Sequence, residues 1–208
     1  MKKNNLLRTL AVATACALLS ACATTGTASG PQTGSQTALG AYRDVIDLSG
    51  RLLVNYERDG KPDTLSVKFA WAQTAREVGV SLLSPTGQTV AKISVTPEAA
   101  TLTQAGQAPR MARDIDTLAA QTLGFALPVS GLRDWLQGYA SAADGKRFAA
   151  SPANNTVTTS DGWKLTFVSW QDGPGAGPGP SPRRIDAQRD ATATTGQLAL
   201  RIVVDPKS

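Results

Sequence analysis

The chain has 208 residues, 21 Lys and Arg against 16 Asp and Glu, two cysteines and no histidine, for a formal charge of +5. The absence of imidazole excludes a catalytic triad or metal site built on histidine. The positive charge does not point to nucleic acid, because no basic block interleaved with aromatics occurs.

Lys2, Lys3 and Arg8 lie in the first eight residues without an acid, and an uncharged, mostly apolar stretch follows from Thr9 to Leu19. That order is the n-region and h-region of a secretory signal. The apolar run is too short to span a bilayer, which takes about 20 such residues. It ends in Leu19-Ser20-Ala21-Cys22, a branched apolar residue and two small residues before a cysteine, the pattern of a lipobox. Residues 1–21 are therefore expected to be a cleaved signal peptide and Cys22 the lipid-bearing first residue of the mature protein. Each buried CH₂ contributes roughly 0.8 kcal/mol, so one acyl chain holds a protein marginally and two or more hold it stably. Ala23 follows Cys22 where an aspartate would signal retention in the inner membrane, which points to the outer membrane. Cleavage removes three cations, lowering the charge to +2, and removes Cys16 as well. With Cys22 consumed by lipid, no thiol is left for a disulfide or a thiolate metal site.

Residues 23–38 are small, polar and rich in Gly and Thr. They read, with Cys22, as a lipidated N-terminus and flexible tether whose 16 residues reach roughly 20–24 Å. Residues 39–208 are long enough for one domain with its own core. Tyr42 to Leu48 suggests a short helix. The period then becomes two: Leu52, Val54 and Tyr56 alternate with polar residues, Asp59-Gly60-Lys61-Pro62 is turn chemistry, and Leu65 to Trp71 is the cleanest alternation in the chain. Val78 to Leu82, Ala91 to Val95 and Ala100 to Gln104 give three more strands, with Ser84-Pro85-Thr86-Gly87 turning the chain between the first two.

The pattern next turns helical. Asp114 or Asp116 can cap a helix running to Leu123, with Gly124 placed as a C′ glycine. Leu132, Trp135 and Leu136 repeat at helical spacing before Gly138. Capping accounts for the Asp114-x-Asp116 pair more simply than paired-carboxylate catalysis does. Strand signals return at Thr156–Thr159 and at Trp163, Leu165 and Phe167. Residues 173–182 (GPGAGPGPSP) read as a loop. Ile185 begins another strand, and Leu198 to Val204 close the chain.

Without a β-α-β-α rhythm, the sheet is antiparallel. Two short helices cannot cover eight or more strands that are each greasy on one face, so the sheet must curl on itself and the helices must lid the opening. Periodicity leaves open whether the interior is filled by side chains or hollow around an apolar ligand. Trp71, Trp163 and Phe167 suit either.

Several segments, in order, resemble the LolB family, the outer-membrane receptors of bacterial lipoprotein sorting. They are Gly50-Arg51-Leu52, Phe69-Ala70-Trp71, Leu82-Leu83-Ser84-Pro85-Thr86-Gly87, Pro128 with Leu132-Arg133-Asp134-Trp135-Leu136-Gln137-Gly138, Arg184-Ile185 and Leu200-Arg201-Ile202-Val203. The match runs over residues 40–204, behind the lipobox. It implies a mainly β fold, a half-open antiparallel β-barrel of about eleven strands with a short-helix lid over an apolar cavity, making residues 39–208 a lipoprotein-binding β-barrel domain. It implies a monomer that accepts the acyl chains of client lipoproteins from the periplasmic carrier LolA and releases the clients into the outer membrane. No cofactor, bond chemistry or nucleic acid is involved.

The inward strand positions assign to that cavity Leu52 and Val54, then Val67, Phe69 and Trp71, then Val80, Leu82 and Ile93. Leu165, Phe167 and Ile202 follow in the later strands. Leu118 on the first helix and Leu132, Trp135 and Leu136 on the second form the lid. Arg133 reads as a solvated helix residue. Arg184 suits either an acidic carrier surface or a strand edge. Leu83, Pro85, Thr86 and Gly87 form the membrane-delivery loop, where Thr86 stands in place of the family's exposed leucine and predicts weaker insertion, or help from Leu82 or Leu83. The competing class is a structural or assembly lipoprotein with a filled barrel and a protein-binding surface. An enzyme is disfavoured by the lack of histidine, of a G-x-S-x-G elbow and of a phosphate loop.

Overall fold

The computed structural model describes residues 39–58, 60–125, 127–172, 179–192 and 196–206. The expected signal peptide, Cys22 and the tether lie outside the described residues, as do residues 173–178 of the Gly/Pro-rich stretch.

The period-two segments form strands. Ile46–Arg58 (β1) and Lys61–Gln73 (β2) pair antiparallel over their full 13 residues, Ile46 against Gln73 and Arg58 against Lys61. Val78–Leu83 (β3), Thr89–Val95 (β4), Ala100–Gln104 (β5) and Arg110–Ala112 (β6) continue the meander. Helices Ile115–Leu123 (α1) and Leu132–Trp135 (α2) follow, then a small hairpin of Tyr139–Ser141 (β7) and Arg147–Ala149 (β8). Thr156–Thr158 (β9), Lys164–Asp172 (β10), Pro180–Arg189 (β11) and Leu198–Val204 (β12) complete the chain. β12 returns to pair with β1, Ile202 opposite Leu52. The sheet therefore runs β6-β5-β4-β3-β2-β1-β12-β11-β10-β9, antiparallel throughout, and is not closed: β6 and β9 are its edges among the described residues. The half-open barrel expected from the sequence is the fold found, with ten strands in the main sheet in place of about eleven.

Two clusters share the interior. The larger draws on β1–β3 and β9–β12, and its Trp163, Leu165, Phe167 and Ile185 are wholly buried. Aromatic rings fill this half: Trp135 lies 6.4 Å from Trp163, and Phe167 lies 6.3 Å from Phe148 and 6.2 Å from Trp170. The smaller cluster joins Ala91, Ala100 and Leu102 to Ile115 and Leu118 of α1.

Two sequence expectations are corrected. Tyr42–Leu48 is not helical; residues 39–45 run in irregular conformation and β1 begins at Ile46. Tertiary contacts override local propensity there. Gly40 and Arg43 give their backbone groups to Pro180, Tyr139 and Gln137, and Tyr42 packs edge-on against Tyr139, with the Arg147 guanidinium over both rings. Pro180 and Pro182 are not loop residues but lie in β11, opposite Asp172 and Trp170 of β10. β12 pairs with β11 only from Arg184 onward, so the missing proline N–H groups fall where the strand has an open side. The short β6, β7 and β8 carry no run of alternating large apolar residues that marks them as strands in the sequence.

Gly50 has a packing reason to be glycine. A Cβ there would sit 2.8 Å from Cζ of Phe69 on the neighbouring strand and would overlap the Val203 carbonyl oxygen behind it. Overpacking of this kind costs typically about 1–3 kcal/mol. Gly50→Ala is expected to lower the unfolding free energy by that amount, seen as a lower denaturant midpoint with an unchanged m-value in urea unfolding.

Candidate functional site

Between the two clusters lies a cavity of about 310 Å³. The concave sheet face forms its wall: Leu52 of β1, Val67, Phe69 and Trp71 of β2, Val80 and Leu82 of β3, Ile93 of β4 and Ile202 of β12. Its roof is α1 and the segment through α2, with Leu118, Leu132 and Leu136 facing down. Among the described residues, no ionisable side chain lines it. The indole N–H of Trp71 is committed, donating to Gln73 Oε1 at 3.2 Å.

Four residues expected on the wall are not there. Val54, Trp135, Leu165 and Phe167 point inward, but all are packed in the larger cluster. The bulk of Trp163, Trp135 and Phe167 fills the half of the barrel beneath β10 and β11, which leaves the void under β1–β5 and β12. The barrel is thus filled on one side and hollow on the other. Trp163 lies in the filled half, with Arg189 over its ring. Sequence reasoning missed Leu65 and Leu200 as wall residues, although each shares the strand phase of a residue that was assigned, and Leu102, on a strand where none was assigned. It also missed Gln104 and Thr122, because the search was for apolar side chains.

The roof is fixed locally before it is fixed to the barrel. Asp114 caps α1, its Oδ1 accepting the Thr117 N–H at 2.7 Å, and Gly124 ends the helix in a left-handed turn with φ 82°. The Thr117 amide, then its hydroxyl and Arg113, hold the Asp114 carboxyl below the usual carboxylate range. A depressed folded pKa adds stability that is present above the unfolded pKa and lost as pH falls through the folded one. Amide protection in α1 is therefore expected to fall as the solution is acidified below the normal aspartate range, and Asp114→Ala is expected to remove that dependence, as measured by hydrogen exchange.

One polar clamp then ties the roof together and two join it to its surroundings. Asp116 accepts from both the backbone N–H and the hydroxyl of Ser130, at 2.9 and 2.5 Å. Arg133 is not merely solvated: Nη2 donates to the carbonyl oxygens of Thr74 and Ala75, at 2.6 and 3.1 Å, and latches α2 to the β2–β3 turn. The Gln137 amide brackets Arg43, accepting from its N–H at 2.9 Å and donating to its carbonyl at 3.0 Å. The roof is thus a pair of short helices held over an apolar hollow by a few polar bonds and by the buried side chains of Ile115, Leu118 and Trp135.

The turn between β3 and β4 is polar at its tip. Gly87 N–H donates to the Ser84 carbonyl, the hydroxyls of Ser84 and Thr86 lie 2.8 Å apart, and Lys68 donates to the Pro85 carbonyl at 3.0 Å. Pro85, Thr86 and Gly87 are exposed and Leu83 is half-buried. Leu82 is on the cavity wall, as is Val90, which is 44% exposed. The open end of the cavity therefore adjoins this loop.

Arg184 is neither on an edge strand nor free for a partner. It pairs through two nitrogens with Asp186, at 3.0 and 2.6 Å, and Arg201 reaches the same carboxylate. Burial pushes the Asp186 carboxyl up, but hydrogen bonds from the two guanidinium groups outweigh it and hold the pKa below its ordinary value.

The family profile described as Outer membrane lipoprotein LolB matches residues 44–206, which includes every strand and both helices. The outer-membrane lipoprotein LolB of Cupriavidus pinatubonensis is 38% identical over 193 residues, covering 91% of this chain and 89% of that protein. That of Cupriavidus taiwanensis is 41% identical over 163 residues, covering 77% and 79%. Among solved structures, a LolA superfamily protein from Nitrosomonas europaea aligns with a TM-score of 0.40 at 8% identity, covering 78% of this chain and 87% of that one. Matched across its whole described fold by the profile, and by relatives at this level of identity, the chain belongs to the outer-membrane lipoprotein LolB family.

Proposed function

We propose that this chain is a lipid-anchored receptor on the periplasmic side of the outer membrane, which takes the acyl chains of lipoproteins from the soluble carrier LolA and passes the clients to the membrane. The observation that carries the reading is the apolar hollow beneath a two-helix roof, open beside the β3–β4 loop. Cys22 is the lipidated residue, residues 1–21 are the removed signal and residues 23–38 are the tether. The chain acts as a monomer, which its two edge strands support: β6 and β9 are three residues each, too short to recruit another sheet.

No bond is made or broken in such a transfer. The client moves downhill, so the cavity must hold acyl chains better than the carrier does, and the membrane better still. At about 310 Å³ the hollow lies at the small end of ligand pockets, which span roughly 300–1,000 Å³. A client with two or three chains needs more room, so loading requires the roof to lift. The Arg133 latch and the Gln137 bracket are the bonds that such a movement must stretch.

Saturable binding of a hydrophobic fluorescent probe, displaced by a lipopeptide, is expected of this reading. Depletion of the protein in cells is expected to strand outer-membrane lipoproteins in the periplasm or inner membrane. A probe that binds without saturation, or a depletion that leaves lipoprotein location unchanged, would overturn it.

A further inference from the structure

Two polar side chains line the otherwise hydrocarbon cavity without a use in the fold. Thr122 is on α1, and its hydroxyl oxygen is buried without a hydrogen-bond partner in the protein. Gln104, the last residue of β5, is in the inward phase of Ala100 and Leu102, and its side chain makes no hydrogen bond among the described residues. Buried polar groups in native proteins are nearly always paired, and an unpaired hydroxyl in an apolar wall is destabilising. A wall shaped only to hold hydrocarbon would carry valine at position 122, while the half-buried Gln104 places an amide where the cavity meets water.

Both lie toward the open end. Gln104 is paired with Ala91, the neighbour of the exposed Val90. Along α1, Ile115, Leu118 and Ala119 are buried while Thr122 and Leu123 are half-buried, so Thr122 is on the shallow side of the roof. Each can donate a hydrogen bond, Thr122 through its hydroxyl and Gln104 through its amide. The polar group that adjoins a hydrocarbon tail in an acylated ligand is a carbonyl, an acceptor.

We infer that Thr122 and Gln104 form a carbonyl-binding collar at the mouth of the cavity, which holds the ester or amide carbonyl of a seated acyl chain while the hydrocarbon fills the dry end. The inference rests on the acyl-binding reading and refines it. The collar sets how deep a chain enters and distinguishes an acyl chain from a plain hydrocarbon.

The test uses the mature chain, residues 22–208, with Cys22→Ala, so that its own lipid does not compete, and displacement of a bis-anilinonaphthalene sulfonate probe. Two lipopeptides are compared: one carries two palmitoyl chains in ester linkage to its glyceryl-cysteine, the other two hexadecyl chains in ether linkage. They differ in the carbonyls alone. The ester form is expected to bind several-fold tighter, on the order of fivefold, as one or two neutral hydrogen bonds give. Thr122→Val and Gln104→Met are each expected to shrink the ratio of ester-form to ether-form affinity, read within each variant so that a general change in the cavity cancels, while Thr122→Ser retains it. Equal affinity of the two lipopeptides for the unsubstituted protein would overturn the collar and leave the cavity reading standing. Variants that weaken both ligands equally would also overturn it, as would free palmitate displacing the probe better than the ester form, which would mark a carboxylate site. Failure of both lipopeptides to displace the probe would instead sink the acyl-binding reading itself.

Discussion

Ala119→Phe is expected to weaken acyl-chain binding by roughly tenfold or more without unfolding the protein. Ala119 is on the buried face of α1 and on the cavity wall, so a ring at this position projects into empty space before it meets packed atoms. Voids are destabilising in proportion to their volume, and filling one commonly raises stability. The same ring removes room from the ligand. Displacing even two methylenes of a bound chain forfeits about 1.6 kcal/mol, and each 1.4 kcal/mol is a factor of ten in affinity. The expected result is a melting temperature at or above that of the unsubstituted chain, with probe affinity lower by roughly tenfold or more. Calorimetry and probe titration on the same preparation separate the outcomes. Unchanged affinity with the ring in place would mean that acyl chains bind elsewhere. A wholly solid scaffold would respond in the opposite way, losing stability through overpacking and having no affinity to lose.

The sequence showed the shape of this barrel more clearly than its contents. Strands with a clean period of two, such as Leu65 to Trp71, had one possible inward face, and the helix from Ile115 to Leu123 was bounded by an aspartate cap and a terminal glycine. Residues that take their conformation from distant partners were not legible in this way. Tyr42 looks helical until Tyr139 and Arg147, far along the chain, pack against it. Pro180 and Pro182 look like loop residues until β10 supplies a partner on one side, while β12 begins to pair on the other only at Arg184. The division of the interior was hidden for the same reason. Inward phase is a property of one strand, but Phe69 at a cavity wall and Phe167 in a packed core have the same phase and the same ring. What distinguishes them is whether a tryptophan from another element fills the space opposite, and Trp163 and Trp135 do so on one side only. Arg133 and Gln137 were legible as residues of a helix but not as latches, because their partners are the backbone carbonyls and amides of segments whose position only the fold determines.

Thr86→Leu is expected to speed delivery of clients into outer-membrane vesicles, and the geometry of its loop says why. The tip is exposed and held in one shape by the Gly87-to-Ser84 hydrogen bond and the Lys68 contact with Pro85, so a side chain at position 86 points outward in a fixed frame. The open end of the cavity is beside it, marked by Leu82 and Val90. A side chain inserted there brings the mouth to the lipid surface while the client is still seated. Burying a leucine is worth roughly 1.5–3 kcal/mol, and threonine forfeits most of that. If insertion limits release, the gain corresponds to a factor of ten or more in vesicle association, as about 1.4 kcal/mol per tenfold requires. Neither leucine beside the tip can take over that role freely, since Leu82 belongs to the cavity wall and Leu83 is half-buried in the sheet. Val90 is better placed, being exposed at the mouth itself. The measurement is transfer of a labelled lipopeptide to vesicles from the unsubstituted protein, from Thr86→Leu and from Val90→Ser. Faster transfer in the first variant and slower transfer in the second are expected. Equal rates in all three would mean that release is governed by the roof clamps and not by contact between this loop and the membrane.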